Sequence, residues 1–368
     1  MVKFKNIISV FVFGIFLFSM CAICTLKGDA EYSESERRAL AKMPELSLSS
    51  ITNGDFMKNF ESYTTDQFPA RDTFRSAKSI FARFVLRRLE NNGLFIADGH
   101  ISKIDEKENE AMMDHAANKF ENIYNSFIKD KTSDVYFTVV PDKNKFLASK
   151  NGYPSLNYDS FEAKMKEKLA YMKYIDISHL LSADDYYNTD THWKQENITD
   201  IAQFIAESMG ADVKSEYKVN TLDNKFYGVY HSQAALPFIK NDTIKYLTNE
   251  TIDNSVVTYY DTGIPKKGDM YNMKKAYSKD PYEMFLSGVA PLITIENPNA
   301  KNEKHLVMLR DSFGSSLAPL FTQGYSKITI ADIRYMQSAL IGSFIDFKDA
   351  DVLFIYSTAL LNNSLALN

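Results

Sequence analysis

Cysteine is nearly absent from this 368-residue chain. The only two, Cys21 and Cys24, both lie within one apolar run, Ile7 to Leu26. The rest of the chain therefore has no disulfide, no thiolate nucleophile and no cysteine-bound zinc. Any covalent catalysis there must use an oxygen nucleophile or a lysine.

Histidine is scarce, and basic residues do not outnumber acidic ones. The six histidines form no close H-x-H or H-x₃-H pair, so we expect no metal and no other cofactor. The formal net charge of −5 gives no support for binding to nucleic acid, which needs a basic face. The histidines are His100, His115, His179, His192, His231 and His305.

The run from Ile7 to Leu26 contains 20 residues and no charge. At ~1.5 Å per residue a helix of this length spans the ~30 Å hydrocarbon layer of a bilayer. Lys3 and Lys5 precede it and favour a cytoplasmic N-terminus. We predict a cytoplasmic tip and transmembrane signal anchor over residues 1–28, with the C-terminal part outside the cell membrane. Gly28-Asp29-Ala30 leaves cleavage and secretion open as an alternative.

Residues 29–104 are predicted to form a membrane-proximal linker and an amphipathic helix. The linker is charged, as in SESERRAL, and the helix begins near Ala70. Apolar residues follow at helical spacing, and the basic residues form either a solvated face or a contact with the membrane surface. These apolar residues are Phe74, Ile80, Phe81, Phe84, Val85 and Leu89.

Residues 105–368 alternate between short apolar runs typical of strands and longer segments with helical spacing. The alternation predicts an α/β domain whose mostly parallel sheet is covered by helices. Predicted strands include VYFTVVP, KYIDI, HLVML, KITIAD and DVLFIY, with helices between them and another around Gln337 to Phe344. Residues 211–304 break this rhythm. We interpret them as an inserted lobe over the carboxyl edge of the sheet, where α/β folds bind ligands.

Two short stretches combine reactive residue types with suitable local geometry. In Asp190-Thr191-His192-Trp193, residues i and i+2 of an extended segment point the same way, so Asp190 can orient the His192 ring. The simpler alternative is an aspartate that caps the next helix and a histidine packed on Trp193. In the second stretch, His305 to Phe321, Ser312 follows a strand and precedes a helix, which suits a nucleophile beside backbone N–H groups. A plain helix cap is again the alternative.

These motifs resemble the DHHW family of exported bacterial proteins, which is related to the SGNH-hydrolase-like domain of the alginate O-acetyltransferases. The DHHW-like element is Asp190 to Trp193, with threonine in place of the first histidine, and the serine block is Arg310-Asp311-Ser312-Phe313-Gly314. Further similar stretches are DQFPARD, YEMFLSG, DIRY and VLFIYSTALLNNS. The order of the motifs, Asp and His before Ser, is that of the circularly permuted members.

The resemblance implies a nucleophile Ser312, a general base His192 and an orienting acid Asp190. Arg310 stands where the superfamily usually has glycine, so it either crowds the serine or holds a substrate carboxylate or the developing anion. Gly314, Asn362 (with Asn363 as the alternative) and Tyr282 are further candidates for oxyanion or substrate binding.

We therefore expect a membrane-anchored serine O-acyltransferase or esterase that acts on cell-surface polysaccharide through an acyl-serine. A membrane-bound protein as acyl donor would fit the transferase reaction. A non-catalytic protein that binds glycan in the same cleft remains the alternative. We also expect residues 211–304 to bring some of Tyr227, Tyr230, His231 or Tyr282 near Ser312.

Overall fold

The computed structural model describes residues 2–33, 35–36, 38–236, 238–261 and 263–368. The side chains of Val2 and Lys3 are also not described, so the prediction that rests on the charge of Lys3 lies outside the described residues. The predicted linker and lobe likewise each contain residues that are not described. The chain divides into two units, Met1–Asn92 with His231–Ile239, and Gly93–Tyr230 with Lys240–Asn368.

The first unit is mainly helical. Helix α1 has 25 residues, and the 23 residues from Phe4 to Leu26 form a stretch long and apolar enough to cross a membrane. The predicted amphipathic helix is α4, which continues through a π-helical turn, Phe81–Val85, and so ends before Leu89. The elements are α1 (Val2–Leu26), β1 (Tyr32–Ser33), β2 (Arg38–Ala39), α2 (Leu48–Thr52), α3 (Asp55–Asp66), α4 (Arg71–Ile80) and β3 (Glu90–Asn91).

The second unit alternates strands and helices, as the sequence predicts. Its strands are β4 (Leu94–Ala97), β5 (His100–Lys103), β6 (Val135–Val140), β7 (Lys173–Tyr174), β8 (Lys218–Thr221), β9 (Lys245–Thr248), β10 (Val256–Tyr259), β11 (Lys266–Gly268), β12 (Leu292–Glu296), β13 (His305–Arg310), β14 (Lys327–Ala331) and β15 (Asp351–Ser357). Its helices are α5 (Glu110–Ile123), α6 (Asn144–Leu147), α7 (Tyr158–Lys168), α8 (Thr199–Ser208), α10 (Glu250–Asn254), α11 (Met273–Ala276), α12 (Phe313–Leu317) and α13 (Thr358–Leu361), while α9 (Val229–Ala234) runs on into the first unit.

Eight of these strands form one sheet in the order β11-β10-β12-β14-β13-β15-β6-β7. The five strands from β14 to β7 are parallel to one another, whereas β12, β10 and β11 pair antiparallel at the other edge. The predicted mostly parallel sheet is confirmed. Its antiparallel strands β10, β11 and β12 come from residues 211–304, so this segment also completes the sheet.

Two hydrophobic cores cover the two faces of this sheet. In β13, Leu306 and Met308 face one core, which includes α8, while Val307 and Leu309 face the other, which includes α5 and α7. This alternation follows from the two-residue period of a strand. Burial on both faces explains why the central strands read as continuous apolar runs.

Two elements differ from the sequence-based expectation. The helix predicted around Gln337 to Phe344 is a 3₁₀ stretch, Ser338–Ser343. The strand predicted over KYIDI is only two residues long: β7 lies at the sheet edge, where Lys173 and Tyr174 pair with β6 and the Ile175 N–H donates to the Phe137 carbonyl at 2.9 Å.

Candidate active site

The serine lies at the carboxyl end of β13, in the centre of the sheet. Strand β13 ends at Arg310, and Ser312 is the N-cap residue of α12. The buried Asp311 carboxylate fixes this turn: Oδ1 accepts the Phe313 N–H at 3.0 Å and Oδ2 accepts the Ser357 N–H at 2.8 Å. The Ser312 side chain makes no capping hydrogen bond and is partly exposed, so its hydroxyl is available for other contacts.

A tight loop carries Asp190 and His192 to the serine. The loop closes by a bridge between Tyr186 and Trp193 and by a 3.0 Å hydrogen bond from the Tyr187 N–H to the His192 carbonyl. Its start is held by Asp242, whose carboxylate accepts the N–H groups of Asn188 and Thr189 at 2.9 and 2.7 Å and the Thr189 hydroxyl at 2.6 Å. The loop is therefore fixed by contacts distant in sequence.

The three predicted catalytic side chains form one continuous hydrogen-bonded relay. His192 Nε2 lies 2.8 Å from Ser312 Oγ, and His192 Nδ1 lies 2.6 Å from Asp190 Oδ1. The carboxylate is buried, while the imidazole and the hydroxyl are only partly covered. This is the geometry of a nucleophile, a base and an orienting acid.

Asp190 is held on its far side by the segment at the start of α9. Asp190 Oδ2 accepts the Val229 N–H at 2.8 Å, and Oδ1 also accepts the His192 N–H at 3.1 Å. Gly228 passes so close that an added Cβ would lie 2.3 Å from Asp190 Cβ and 2.5 Å from its Cα. Glycine is required here because any side chain would displace the carboxylate. The sequence does not reveal this contact, since Gly228 lies 38 positions after Asp190.

Trp193 fastens the histidine loop to the serine turn. Its fully buried indole donates Nε1–H to the Phe313 carbonyl at 3.2 Å and to Ser316 Oγ at 2.9 Å. Gln195 adds a second link, a 2.7 Å hydrogen bond from Nε2 to the Ser316 carbonyl. The alternative in which Asp190 caps the next helix is wrong, because the N-cap residues are Lys194 for the 3₁₀ turn Gln195–Asn197 and Ile198 for α8. Trp193 packs in the core and also joins the two halves of the relay.

Of the aromatic residues predicted to wall the site, Tyr282 is the one in direct contact. Its ring stacks on His192 with 3.9 Å between centroids and 10° between planes, and its hydroxyl lies 2.9 Å from Ser316 Oγ. Tyr230 reaches the loop through Thr191, 3.2 Å from hydroxyl to hydroxyl. No described contact joins Tyr227 to Ser312, and His231 belongs to the first unit. Among these four aromatic and histidine residues, the lobe therefore contacts the relay directly through Tyr282, while its Gly228, Val229 and Asp242 hold the loop that carries Asp190.

Arg310 and Gly314 pack beneath the serine turn. Arg310 is 1% exposed, and its Nη1 donates to Asp332 Oδ2 at 3.1 Å and to the Asp311 carbonyl at 3.3 Å. Burial lowers the pKa of this guanidinium, and its Nε and Nη2 have no partner among the described residues. A side chain at position 314 would place its Cβ 2.7 Å from the Arg310 Cβ, so only glycine fits there. The Gly314 N–H already donates to the Asp311 carbonyl at 3.1 Å. Neither residue offers a surface to a substrate.

Asn362 is also committed elsewhere. Its Oδ1 accepts the Asn109 N–H at 2.7 Å, and its Nδ2 donates to the Lys107 carbonyl at 2.9 Å. These bonds tie the segment before α5 to the end of α13, and none of them involves Ser312. The Asn362 amide was expected to bind an oxyanion, but its oxygen and its nitrogen both make hydrogen bonds within the fold.

A buried lysine that sequence reasoning missed supports the loop. Lys143, just after β6, donates to the carbonyls of Tyr187 and Asn188 at 2.8 and 3.1 Å. Burial lowers the pKa of its ammonium group to about 7, although Asp190 and Asp242 favour the charged form. Only its position after a strand, at the edge that carries Ser312, distinguishes it in the sequence.

Solved structures resemble this chain in fold. A DHHW family protein from Eubacterium siraeum superposes with a TM-score of 0.60 at 21% identity, over 76% of this chain and 95% of that one. PatB1 of Bacillus cereus, solved with a sulfonyl adduct, gives 0.57 at 20% identity, over 73% and 95%. The chain shares the fold of these proteins. No family model and no curated protein matches the sequence.

Proposed function

We propose that this protein is a serine-dependent O-acyltransferase or esterase. The observation that supports it is the relay from Ser312 Oγ through His192 to Asp190, with distances of 2.8 and 2.6 Å. A helix cap would not need a histidine nitrogen on the serine, nor three hydrogen bonds to Asp190. The fold alone would not support any particular activity, because one fold hosts many functions.

The reaction proceeds in two balanced steps. His192 Nε2 takes the Ser312 proton as Oγ bonds to the carbonyl carbon of an ester. The tetrahedral intermediate then breaks its bond to the alkoxide, which leaves with the proton from Nε2, and an acyl-serine remains. Water or a sugar hydroxyl gives its proton to His192 Nε2 and attacks the acyl carbon; the bond from that carbon to Ser312 Oγ then breaks, and Nε2 returns the proton to Oγ. Water makes the protein an esterase, and a sugar makes it a transferase.

Asp190 orients His192 throughout this cycle. Its carboxylate accepts hydrogen bonds from the Nδ1–H of His192 and from two backbone N–H groups. It therefore fixes the tautomer with Nε2 free to act as base and stabilises the imidazolium that forms. We expect the Ser312 N–H, on the serine turn, to be a backbone donor to the oxyanion.

The proposed substrate is cell-surface polysaccharide, with the acyl group delivered from the membrane side. The resemblance of the motifs to the alginate O-acetyltransferases supports this assignment, and α1 supports a single-pass location with the catalytic unit outside the membrane. In this arrangement the membrane-tethered enzyme transfers the acyl group from a donor in the bilayer to a glycan acceptor.

A non-catalytic glycan-binding protein is the second candidate, and one observation favours it. The N–H groups of Phe313 and Gly314, which would ordinarily help to bind an oxyanion, donate to Asp311 instead. A relay without enough oxyanion donors would retain the cleft but transfer acyl groups poorly.

Labelling separates the two candidates. The wild-type protein should form a covalent adduct with a sulfonyl fluoride and hydrolyse an aryl acetate, whereas Ser312→Ala should do neither. Because Ser312 makes no capping bond, its loss should cost less than ~1 kcal/mol of stability. The turnover should fall by about 10⁴-fold or more, and His192→Ala should not add to that loss.

Ser326→Ala is the matched control, since it removes a serine hydroxyl outside the relay. A protein that binds glycan but forms no adduct, and whose slow ester turnover is unchanged by Ser312→Ala, would be a binding module.

A further inference from the structure

A cluster of large apolar side chains is exposed on the first unit. It consists of Phe81, Phe84, Val85, Leu86 and Phe238, with exposed fractions of 53%, 60%, 63%, 53% and 58%. The rings of Phe84 and Phe238 meet edge to face at 5.4 Å, which joins the two chain segments. We call these five residues the apolar patch. A contiguous exposed patch of this kind marks an interaction surface.

The local backbone explains why these side chains point outward. Helix α4 gives way to a π-helical turn over Phe81–Val85, closed by a 3.0 Å hydrogen bond from the Leu86 N–H to the Phe81 carbonyl. In a regular amphipathic helix the apolar side chains lie along one stripe that is buried. The wider π-helical turn spreads successive apolar side chains over more directions, so that several of them are exposed. Arg87, in the left-handed region at φ 51°, then ends the segment.

Basic side chains border the apolar patch. Arg83 lies within the π-helical turn, and Arg87 and Arg88 come after Leu86 and are exposed. Glu90 is the one acidic residue in the ten from Phe81 onward. Phenylalanine and leucine beside arginine is the composition of a surface that enters the boundary between lipid headgroups and acyl chains.

We propose that the apolar patch docks on the surface of a lipid bilayer that contains anionic lipid. Three observations favour lipid over a protein partner: the apolar exposure, the net positive charge beside it, and the presence of α1 in the same unit. A basic segment close to an anionic surface gains electrostatic attraction in addition to apolar burial. The proposal is independent of the catalytic one.

Docking would restrain the first unit at the membrane surface by two attachments instead of one. An anchor helix alone leaves the unit free to swing about the segment after Leu26. With the apolar patch inserted, the first unit would stay at the headgroup level.

The scarcity of cysteine makes this directly testable in the full chain. Replacing Cys21 and Cys24 by serine leaves a background without thiols, into which Val85→Cys introduces one labelling site. The protein is labelled with an environment-sensitive fluorophore and reconstituted into phosphatidylcholine vesicles with one quarter phosphatidylglycerol. Lipids with brominated acyl chains then report contact with the acyl region by quenching.

We expect about twofold or stronger quenching at position 85, as for side chains buried in the headgroup and acyl boundary. Lys58→Cys on α3 and Lys301→Cys in the second unit, both exposed, are the controls and should stay unquenched. Arg87→Glu with Arg88→Glu should reduce the signal at position 85 in the anionic vesicles. Lys266→Glu with Lys267→Glu makes the same charge change outside the patch and should leave it intact.

Four results would overturn the proposal. The label at position 85 could stay in water, or it could be quenched no more than the label at position 58, which would mean proximity without docking. Equal quenching in vesicles without phosphatidylglycerol would remove the role of anionic lipid. Efficient disulfide cross-linking between two copies of the Val85→Cys variant, without lipid quenching, would assign the patch to a second copy of the chain.

Discussion

Gly228→Ala tests whether the close approach of Gly228 to Asp190 positions the catalytic relay. The added methyl group would lie 2.3 Å from Asp190 Cβ, and an ordinary contact begins at 3.4 Å, so the carboxylate must move by roughly 1 Å. The Val229 N–H that binds Asp190 Oδ2 would move as well. A misplacement of this size in a catalytic group costs on the order of 10²-fold in rate.

The stability cost should be ordinary for overpacking, about 1–3 kcal/mol. Gly324→Ala is the matched control, because its added methyl group would lie 2.8 Å from Val213 Cγ1 and 3.0 Å from the Asp212 carbonyl, away from the relay. Neither glycine has a left-handed backbone, so space alone decides both effects.

The assay compares aryl acetate turnover and urea unfolding for the two variants. Gly228→Ala should lose about 10²-fold in kcat/KM at a stability similar to that of Gly324→Ala. The reasoning fails if both variants are equally destabilised and equally active. In that case the loop carrying Asp190 would yield without loss of the His192 hydrogen bond.

Three further predictions follow from the same contacts. Trp193→Phe removes the indole donor to Ser316 Oγ and to the Phe313 carbonyl and leaves a small gap in the core, so urea unfolding should report a loss of about 2–4 kcal/mol, with turnover reduced more than stability alone explains. Tyr282→Phe keeps the ring stacked on His192 and should retain most activity in the ester assay, whereas Tyr282→Leu should lose it. Lys143 has a folded pKa of about 7, well below its unfolded value of 10.5, so its contribution makes stability rise with pH between these values. Lys143→Met should flatten that rise when the free energy of unfolding is measured at pH 7 and pH 10.

Local sequence periodicity predicted the elements of the sheet but not all of their partners. The runs at Val135 and His305 read as buried strands because both faces of each strand are apolar. The short β10 and β11 carry weaker patterns, and their antiparallel pairing depends on where the chain returns to the sheet. Pairing is decided by long-range contacts, which local propensity does not encode.

The sequence by itself determined which residue types are available for chemistry. Without cysteine beyond the apolar run, the choice of nucleophile falls on oxygen or lysine, and the order of the motifs pointed to Asp190, His192 and Ser312. The tertiary structure alone decided that these three side chains meet, since 120 positions separate the histidine from the serine.

The tertiary structure also decided which neighbours support the relay. Gly228 and Asp242 carry no local signal, and Lys143 carries only its position after a strand, because their importance lies in distances to a loop far away in sequence. Conversely, Arg310 and Asn362 carried a motif signal, yet the fold uses their polar groups for internal hydrogen bonds. A motif specifies which groups are near a site in sequence, whereas burial and the geometry of the donors decide which of them can meet a substrate.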